Sequence, residues 1–210
     1  MNPKRKGRDF IARHGETVFN AARRMQGRLL HTPLTRAGFV QAEEMGEALR
    51  AALGPRPALA LWASPTGRAL QTLAVIAEHL ELDWHQAHTD ERLGEIDIGS
   101  WDGRHYHELA QQFGPMIDPE SGALTPAPDG ETYPAIAARL SGWLADTDDA
   151  PVDRLVITHG ISGMVLRGVM TGRKPAPSIG APLAPALPQG SVVMIERGRE
   201  TIVHRGRGEG

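Results

Sequence analysis

The sequence of 210 residues contains no cysteine. This absence excludes disulfides, cysteine nucleophiles, cysteine-bound zinc and iron–sulfur clusters, and it gives no sign of an oxidising compartment. No hydrophobic run approaches the length that crosses a bilayer. The basic N-terminus is also not followed by the hydrophobic segment of a signal peptide. The sequence therefore predicts a cytoplasmic protein with no membrane partner.

The chain has little lysine and no excess of positive charge. It carries 23 Lys+Arg against 25 Asp+Glu, a formal net charge of −2, which excludes a general nucleic-acid-binding surface. Lysine occurs only at Lys4, Lys6 and Lys174, and the other basic residues are arginines. A guanidinium group binds a carboxylate or a phosphate through two parallel hydrogen bonds. Any anion-binding site must therefore be local, and arginine is available to build it.

The overall composition is that of an ordinary globular protein. Hydrophobic residues make up 40% of the chain and charged residues 23%, which is typical of one domain. A chain of this length buries roughly 70% of the surface that its unfolded form exposes, which is enough for a core without disulfides or a structural metal. We therefore expect residues 1–210 to form a single domain.

Three short apolar runs are typical of buried strands, because polar, glycine or proline residues follow each of them directly. They are Asp9–Ala12, Ala58–Ala63 and Arg154–Thr158. Two further runs, Ser191–Glu196 and Thr201–His204, lie close enough together to predict a terminal hairpin. This hairpin would add antiparallel strands to the sheet.

Apolar residues at helical spacing fill the segments between these strands. Thr35 is predicted to cap the first helix, which Gly54 ends, and Ser64 is predicted to cap the second, with Pro65 at its first position. A third pattern follows later in the chain, and a fourth begins after Gly160. The four apolar faces are Phe39, Met45, Leu49 and Leu53; Leu70, Leu73, Ala74, Ala77 and Leu80; Ile136, Leu140, Trp143 and Leu144; and Met164, Val165, Val169 and Met170.

Strands that alternate with helices of this length predict an α/β fold. We expect a three-layer α/β/α sandwich with a mostly parallel, mixed sheet. Two proline-rich segments, 114–134 and 173–188, interrupt the alternation and predict long ordered loops. Loops of this length are either lids and binding loops or plain surface excursions.

The residues that could carry chemistry follow the predicted strands. Two His-Gly pairs, beginning at His14 and His159, each come directly after a strand. Ligands of open α/β sheets bind beyond the carboxyl ends of parallel strands, and glycine lets the backbone approach them closely. Arg13 precedes the first histidine, and Arg68 lies one helical turn beyond the strand that ends at residue 63. These four side chains predict a pocket for a dianion, and guanidinium groups match the oxygens of phosphate.

Such a pocket can transfer a phosphoryl group without a metal or a thiol. A neutral imidazole can act as the nucleophile and form a phosphohistidine, while the arginines neutralise the charge that develops on the phosphoryl oxygens. The leaving group then needs a proton donor. Glu95 is the best placed carboxylic acid, although Glu91, Asp97 and Asp102 lie near it in the sequence.

Five motifs occur along the chain in a defined order. They are Ala12-Arg13-His14-Gly15-Glu16-Thr17 with Asn20 and Gln26-Gly27; Pro33-Leu34-Thr35 with Gly38 and Gln41-Ala42; Ser64-Pro65 with Arg68-Ala69 and Gln71-Thr72; Leu93 to Gly103; and Thr158-His159-Gly160. In this order they resemble the motifs of the histidine phosphatase superfamily, also called the phosphoglycerate-mutase-like family. One short motif is weak support, whereas five over about 150 residues are strong.

The resemblance implies a phosphoglycerate-mutase-like fold and a role for each matching residue. His14 would be the phosphorylated nucleophile, and Glu95 would act as the general acid and then as the base. No cofactor and no metal would be required. The phosphate and substrate would be held by Arg13, Asn20, Gln26, Gly27, Arg68, His159 and Gly160.

One segment departs from the family pattern. The family usually has an aspartate shortly before the Pro-Leu-Thr block, whereas the segment Leu29–Thr32 has one extra residue and no acid. We expect this departure to change the shape of the loop beside the pocket, and with it the choice of substrate.

Two features favour hydrolysis over phosphoryl transfer to a second substrate. Residues Pro128–Thr132 resemble a segment of the phosphatase branch, and residues Gly160–Gly163 differ from the usual mutase sequence. The mutases also tend to be longer. The sequence therefore predicts a phosphomonoester hydrolase that acts on a small phosphorylated metabolite as a monomer or a homodimer.

Three alternatives stay open at this point. The first is phosphoryl transfer of the phosphoglycerate-mutase type, and the second is a binding module that uses the same pocket without catalysis. The third is a metal-dependent hydrolase, because several further histidines have ligand-like spacing. These histidines are His79, His85, His88, His105 and His107.

Overall fold

The computed structural model describes residues 5–119, 121–147 and 151–208. Six α-helices lie along these segments: α1 Val18–Ala21, α2 Arg36–Leu53, α3 Gly67–His79, α4 Tyr106–Phe113, α5 Tyr133–Thr147 and α6 Gly160–Met170. The strands are β1 Asp9–Arg13, β2 Leu59–Ala63, β3 His88–Thr89, β4 Asp153–Thr158, β5 Val192–Glu196 and β6 Arg199–His204. Short 3₁₀ helices occupy Trp84–Gln86, Glu91–Leu93 and Gly99–Trp101.

All six strands lie in one sheet with the order β3-β2-β4-β1-β5-β6. The first four strands in this order are parallel to one another, and β5 and β6 are antiparallel. The predicted mixed, mostly parallel sheet is therefore confirmed. The terminal hairpin is also confirmed, but its connection is only Arg197-Gly198, both with positive φ, so β6 starts two residues earlier than expected.

The alternation of side chains along the central strands produces the three layers. Phe10 and Ala12 of β1 pack with α2 and α3 on one face of the sheet, whereas Ile11 packs with α5 and α6 on the other. β4 alternates in the same way, with Leu155 and Val156 on opposite faces. Successive residues of a strand point to opposite faces, so both faces of a central strand must be apolar. The predicted α/β/α sandwich is confirmed.

Helix α2 begins and ends where its sequence signals indicate. The hydroxyl of Thr35 accepts a hydrogen bond from the amide of Gly38 at 3.0 Å, and Gly54 follows the last turn with a φ of 74°. Residues Met45 and Leu49 are fully buried, as predicted. Phe39, in contrast, is 40% exposed, so the apolar stripe is narrower than its spacing suggested.

Helix α3 starts later than predicted, and Ser64 is not its cap. The amide of Ser64 donates to the carbonyl of Ile157 at 3.0 Å, which extends the pairing of β2 with β4 beyond residue 63. Thr66 occupies the capping position instead. Within the helix, Ala74 of the predicted apolar face is exposed, whereas Ile76, which lies outside that predicted face, is buried.

The described residues of both proline-rich segments contribute to the core. The first ends at Thr132, because Pro134 lies in the first turn of α5, and its residues Ala123 and Leu124 are buried. The second segment carries the buried Ala181 and Ala184. In the described residues, no helix is long and apolar enough to span a bilayer. The single domain over residues 1–210 stays a prediction, consistent with the one continuous sheet.

Candidate active site

The register of the two central strands brings His14 and His159 together. Arg13 of β1 lies opposite Thr158 of β4, so the next residue of each strand is a histidine at the same edge of the sheet. The amide of His14 donates to the carbonyl of Thr158 at 3.1 Å. The two imidazole rings meet edge to face, with centroids 5.1 Å apart. The predicted convergence of the two His-Gly pairs is therefore found.

The hydrogen bonds of His14 determine its tautomer. Its Nδ1 lies 2.7 Å from the carbonyl oxygen of Gly15, which can only accept, so Nδ1 carries the proton and Nε2 keeps its lone pair. Burial, followed by the charge of Arg68, holds the pKa of His14 well below its ordinary value of 6.5, and Arg13 acts in the same direction. The imidazole is therefore neutral near pH 7, with Nε2 available as a nucleophile.

His159 has the opposite arrangement. Its Nδ1 accepts a hydrogen bond from Nε of Arg68 at 3.2 Å, so the proton of the neutral ring lies on Nε2. Burial, together with the charge of Arg68, holds the pKa of His159 well below 6.5. Its Nε2 is buried and has no hydrogen-bond partner among the described residues. A buried donor without an acceptor is costly, and a phosphate oxygen would satisfy it.

Arg68 lies on α3 and is fully buried. Besides His159, its guanidinium group donates to the carbonyls of Gly27 and Leu29 and to the hydroxyl of Thr32, at 2.7 to 2.8 Å. Burial lowers the pKa of Arg68 to about 10, while the charges of Glu95 and Asp102 oppose this shift. The group therefore keeps its positive charge near pH 7.

The loop with the unusual sequence wraps around this guanidinium group. The carbonyl of Leu29 and the hydroxyl of Thr32 both accept from Arg68 Nη1, and the carbonyl of Leu30 accepts the amide of Gly67 at 2.8 Å. In this loop, Arg68 therefore donates to neutral oxygens and not to a carboxylate. The expected effect of this loop on substrate choice stays a prediction.

Arg13 lies at the end of β1, with its side chain directed toward α6. Its Nη1 donates to the carbonyl of Leu187 at 2.6 Å, so the second proline-rich segment holds this arginine. A side chain at Gly160 would begin 3.4 Å from the guanidinium carbon of Arg13 and 3.5 Å from Glu95 Oε2. A side chain here would therefore make ordinary van der Waals contacts with both charged groups, which lie against the start of α6. Burial lowers the pKa of Arg13, opposed by the charge of Glu95.

Glu95 follows the 3₁₀ helix Glu91–Leu93 and reaches the first turn of α6. Its Oε2 accepts the amide of Ile161 at 3.1 Å, and its Oε1 accepts the amide of Ser162 at 2.9 Å. The first amides of a helix have no partner within the helix, and the carboxyl oxygens of Glu95 accept two of them here. Glu95 was chosen over three neighbouring acids by its position in the motif alone. In the structure its carboxyl group lies near the guanidinium group of Arg13.

Asn20 and Gln26 contact each other rather than standing separately. The amide oxygen of Asn20 accepts the backbone amide of Thr17 at 3.0 Å and the side-chain amide of Gln26 at 3.1 Å. Both residues are half-buried. Gly27 has a φ of 39°, and a side chain there would begin 2.6 Å from Asp102 Oδ1. The roles of these residues in binding substrate stay predictions.

Sequence reasoning missed Tyr106 and Arg139. Tyr106 exposes 40% of its surface, yet burial of its hydroxyl and the charge of Glu95 raise its pKa, whereas Arg13 opposes the shift. Its hydroxyl therefore lies within electrostatic reach of both groups. Arg139 Nη2 donates to the carbonyl of Glu95 at 3.4 Å. Neither residue belongs to a motif, so only the folded chain reveals them.

The further histidines lie away from this pocket. His88 stacks on Trp62 with ring centroids 4.8 Å apart, and His105 lies 5.3 Å from His107. Within the described ranges, no three His, Asp or Glu residues form a group that could hold a metal ion. The chemistry that the described pocket offers is that of a neutral nucleophile, two guanidinium groups, a free imidazole N–H and a carboxyl group.

Comparison with known proteins shows the family to which the chain belongs. The model of the histidine phosphatase superfamily (branch 1) matches residues 10–205. The "Probable phosphoglycerate mutase GpmB" of Enterobacter sp. (strain 638) is 34% identical over 160 residues, which are 73% of this chain and 69% of that protein. The corresponding protein of Citrobacter koseri is 32% identical over 163 residues, with the same coverage of 73% and 69%.

Solved structures show the same fold. The alpha-ribazole phosphatase from Shigella flexneri superposes with a TM-score of 0.73 at 23% identity, covering 97% of this chain and 98% of that one. A mycobacterial glucosyl-3-phosphoglycerate phosphatase in complex with VO3 gives a TM-score of 0.72 at 22% identity, covering 97% and 100%. With a family model that spans nearly the whole chain and relatives above 30% identity, the chain belongs to the histidine phosphatase superfamily.

Proposed function

We propose that the chain is a phosphomonoester hydrolase that acts on a small phosphorylated metabolite through a phosphohistidine at His14. The observation that supports this most directly is the pair of tautomers at the pocket. His14 offers the lone pair of Nε2, and His159 offers an unpaired N–H at its own Nε2. The lone pair of His14 Nε2 can attack a phosphorus atom, and the N–H of His159 can donate a hydrogen bond to a phosphoryl oxygen.

The first half of the reaction forms the phosphoenzyme. The lone pair of His14 Nε2 attacks phosphorus in line with the ester oxygen, the P–N bond forms and the P–O bond of the ester breaks. Glu95 gives its proton to the departing alcohol. Arg13, Arg68 and His159 neutralise the charge on the phosphoryl oxygens and hold the group in place.

The second half returns the enzyme to its starting state. The carboxylate of Glu95 takes a proton from water, whose oxygen attacks phosphorus on the side that the alcohol left. The P–N bond breaks, inorganic phosphate forms, and the electron pair returns to Nε2 of His14. No metal, thiol or organic cofactor takes part in either half, because every proton and electron pair is held by these residues or the substrate.

The test measures phosphate release from 4-nitrophenyl phosphate and from a panel of alkyl phosphates, in excess EDTA. The panel includes α-ribazole 5′-phosphate, glucosyl-3-phosphoglycerate and 3-phosphoglycerate, because similar proteins carry those names. Wild type is compared with His14→Ala and with His85→Ala, whose residue lies on the exposed 3₁₀ helix Trp84–Gln86. We expect release that resists the chelator, disappears in His14→Ala and persists in His85→Ala.

Each other outcome contradicts the proposal in a different way. Unchanged turnover in His14→Ala would refute the phosphohistidine, and loss of activity in EDTA would favour the metal-dependent hydrolase. Phosphate binding without turnover would indicate a binding module. Acid-labile, base-stable label on the protein after a brief reaction with a radiolabelled substrate would add direct support, since phosphohistidine has that lability.

One observation favours phosphoryl transfer as a second candidate. The relative of 34% identity is named a probable phosphoglycerate mutase. If that activity applies to this chain, phosphoryl exchange between 2- and 3-phosphoglycerate should exceed phosphate release from either compound. Release without exchange would exclude this candidate.

A further inference from the structure

The carboxylate of Glu131 links the two loops that form the proposed site. Its Oε1 accepts Nε of Arg139 at 2.8 Å, and its Oε2 accepts Nη2 of the same arginine at 3.1 Å. The two side chains are only 11% and 13% exposed. This fork geometry fixes the position as well as the charge of both groups. Glu131 belongs to Pro128–Thr132, the segment that resembles one of the phosphatase branch, but the reaction described above gives it no role.

Arg139 carries this contact to the backbone of the acid loop, residues 92–95. Its Nη1 donates to the carbonyl of Arg92 at 2.5 Å, and its Nη2 lies 3.4 Å from the carbonyl of Glu95. The same Nη2 donates to the hydroxyl of Ser162 at 3.1 Å, which in turn donates to the carbonyl of Gly94 at 2.6 Å. Three carbonyls of the acid loop are therefore held by one arginine and one serine.

These contacts hold the acid loop and the carboxyl group of Glu95 against the same turn of α6. The amide of Ser162 donates to Glu95 Oε1 at 2.9 Å, while the hydroxyl of Ser162 donates to the carbonyl of Gly94 at 2.6 Å. Glu131 supports the other side of the loop, because its own amide donates to the carbonyl of Asp97 at 2.7 Å. If Arg139 lost its fork partner, the loop would keep its contacts to α6 but lose the support that orients its backbone.

Glu131 also forms an ion pair with the loop around Arg68. Nη2 of Arg28 lies 3.4 Å from Glu131 Oε2, and Arg28 directly follows Gly27, whose carbonyl holds Arg68. The side chain of Arg28 is 48% exposed, so this ion pair contributes little by itself. Glu131 Oε2 also accepts the amide of Asp97, two residues beyond Glu95, at 3.3 Å. The shorter contacts of Glu131 are those with Arg139, which connect it to the backbone carbonyl of Glu95.

We propose that Glu131 is a positioning residue that acts through Arg139 to hold Glu95 where its proton reaches the leaving oxygen. The proposal rests on the proposed phosphatase reaction. A proton donor contributes about 10²- to 10⁴-fold to a rate, and a misplacement of about 1 Å can cost about 100-fold. The loss should appear only where the leaving group needs the proton.

The test compares a leaving group that needs a proton with one that does not. 4-Nitrophenolate departs readily without protonation, whereas the alkoxide of glycerol phosphate does not. We expect Glu131→Gln to lower kcat for glycerol phosphate about 10- to 100-fold and kcat for 4-nitrophenyl phosphate less than about 3-fold. Glu95→Gln should show the same selectivity more strongly, and in that background Glu131→Gln should change the ratio no further.

Asp153→Asn is the matched control. Asp153 is 22% exposed and accepts a fork of two hydrogen bonds from Arg8, at 2.9 and 2.6 Å, at the opposite end of the sheet from the pocket. It should lose stability without a change in the ratio of the two rates. If Glu131→Gln does not fold, Arg139→Lys takes its place, because one ammonium group cannot serve Arg92, Glu95 and Ser162 together.

The outcomes separate this proposal from the one on which it depends. If Glu95→Gln is selective while Glu131→Gln or Arg139→Lys slows both substrates equally or neither, the positioning role of Glu131 is wrong. If Glu95→Gln itself is not selective, the assignment of the acid is wrong, and the positioning proposal is refuted with it. A continued effect of Glu131→Gln on the ratio in the Glu95→Gln background would also overturn the connection.

Discussion

The two buried histidines should make the folded protein sensitive to mild acid. His14 and His159 are 3% and 1% exposed, and burial and the charge of Arg68 hold the pKa of both well below 6.5. In the unfolded chain both imidazoles face water and take up protons below about pH 6.5. Because the unfolded state then binds more protons than the folded state, the free energy of unfolding falls as the pH falls.

The size of the effect follows from the proton count. Each imidazole that stays neutral in the folded protein removes about 1.4 kcal/mol of stability for every pH unit below 6.5. Two such groups give a loss of up to about 4 kcal/mol between pH 6.5 and pH 5. This stability is present above the unfolded pKa and is lost below it. A domain has a total stability of about 5 to 15 kcal/mol, so the loss is a large share of it.

The assay is urea unfolding at fixed ionic strength from pH 7.5 to pH 5, in buffers without phosphate. Wild type is compared with the double variant His14→Asn/His159→Asn. Asparagine places its side-chain amide where each Nδ1 makes its hydrogen bond and does not titrate. The difference between the two proteins cancels the contributions of all other groups. Below pH 6.5, we expect the free energy of unfolding of wild type to fall more steeply than that of the double variant, by roughly 2.7 kcal/mol per pH unit. The reason is that the unfolded wild type binds about two more protons than the folded wild type.

Parallel curves for the two proteins between pH 6.5 and pH 5 would refute this reasoning. They would mean that the histidines accept protons in the folded protein, and that His14 is not held as a neutral nucleophile. Each single variant should remove about half of the difference in slope. A single variant that removed all of it would show that only one of the two rings is held neutral.

Two further predictions concern the helix that supports the first motif, and urea unfolding tests both. Thr35→Ala should lower the free energy of unfolding by about 1 to 2 kcal/mol, because the Thr35 hydroxyl accepts the amide of Gly38 and donates to Glu16 at 2.6 Å. A Thr35→Ser variant as unstable as Thr35→Ala would contradict this reasoning. Gly38→Ala should be severely destabilised, since its Cβ would lie 2.0 Å from the carbonyl oxygen of Glu16. Gly142→Ala is the control, because its Cβ would meet only Arg92 Nη1 at 3.8 Å, and comparable losses in the two variants would refute the steric argument.

Local sequence signals determined the central strands and the ends of α2 and α6. Strands β1, β2 and β4 lie within a residue of their expected positions at each end, because a short apolar run ending in glycine, proline or a polar residue has few other solutions. The Thr35 cap and the Gly54 end of α2 were likewise local. Helices α1 and α4 and strand β3 were not predicted. α1 has four residues and buries none of them, β3 has only two residues, and α4 buries only Leu109 fully, so none of the three carries a strong periodic signal.

The errors arose where tertiary contacts overrode local preference. Ser64 followed by proline is a typical start of a helix. Its amide, however, donates to the carbonyl of Ile157 on the neighbouring strand, and the helix begins only at Gly67. Phe39 has the spacing of a core residue but lies at the edge of the buried stripe. The partner that competes for Ser64 lies far away in the sequence, so no local pattern reveals it.

For the candidate site, the sequence by itself determined which residues belong together. Position after a strand or within a motif was enough to single out Arg13, His14, Arg68, Glu95 and His159. Tertiary structure alone decided their protonation and orientation, because the proton of an imidazole depends on which partner each ring nitrogen meets. It also decided what holds Glu95, since Glu131, Arg139 and Ser162 are brought to it from separate segments and form a network only after folding.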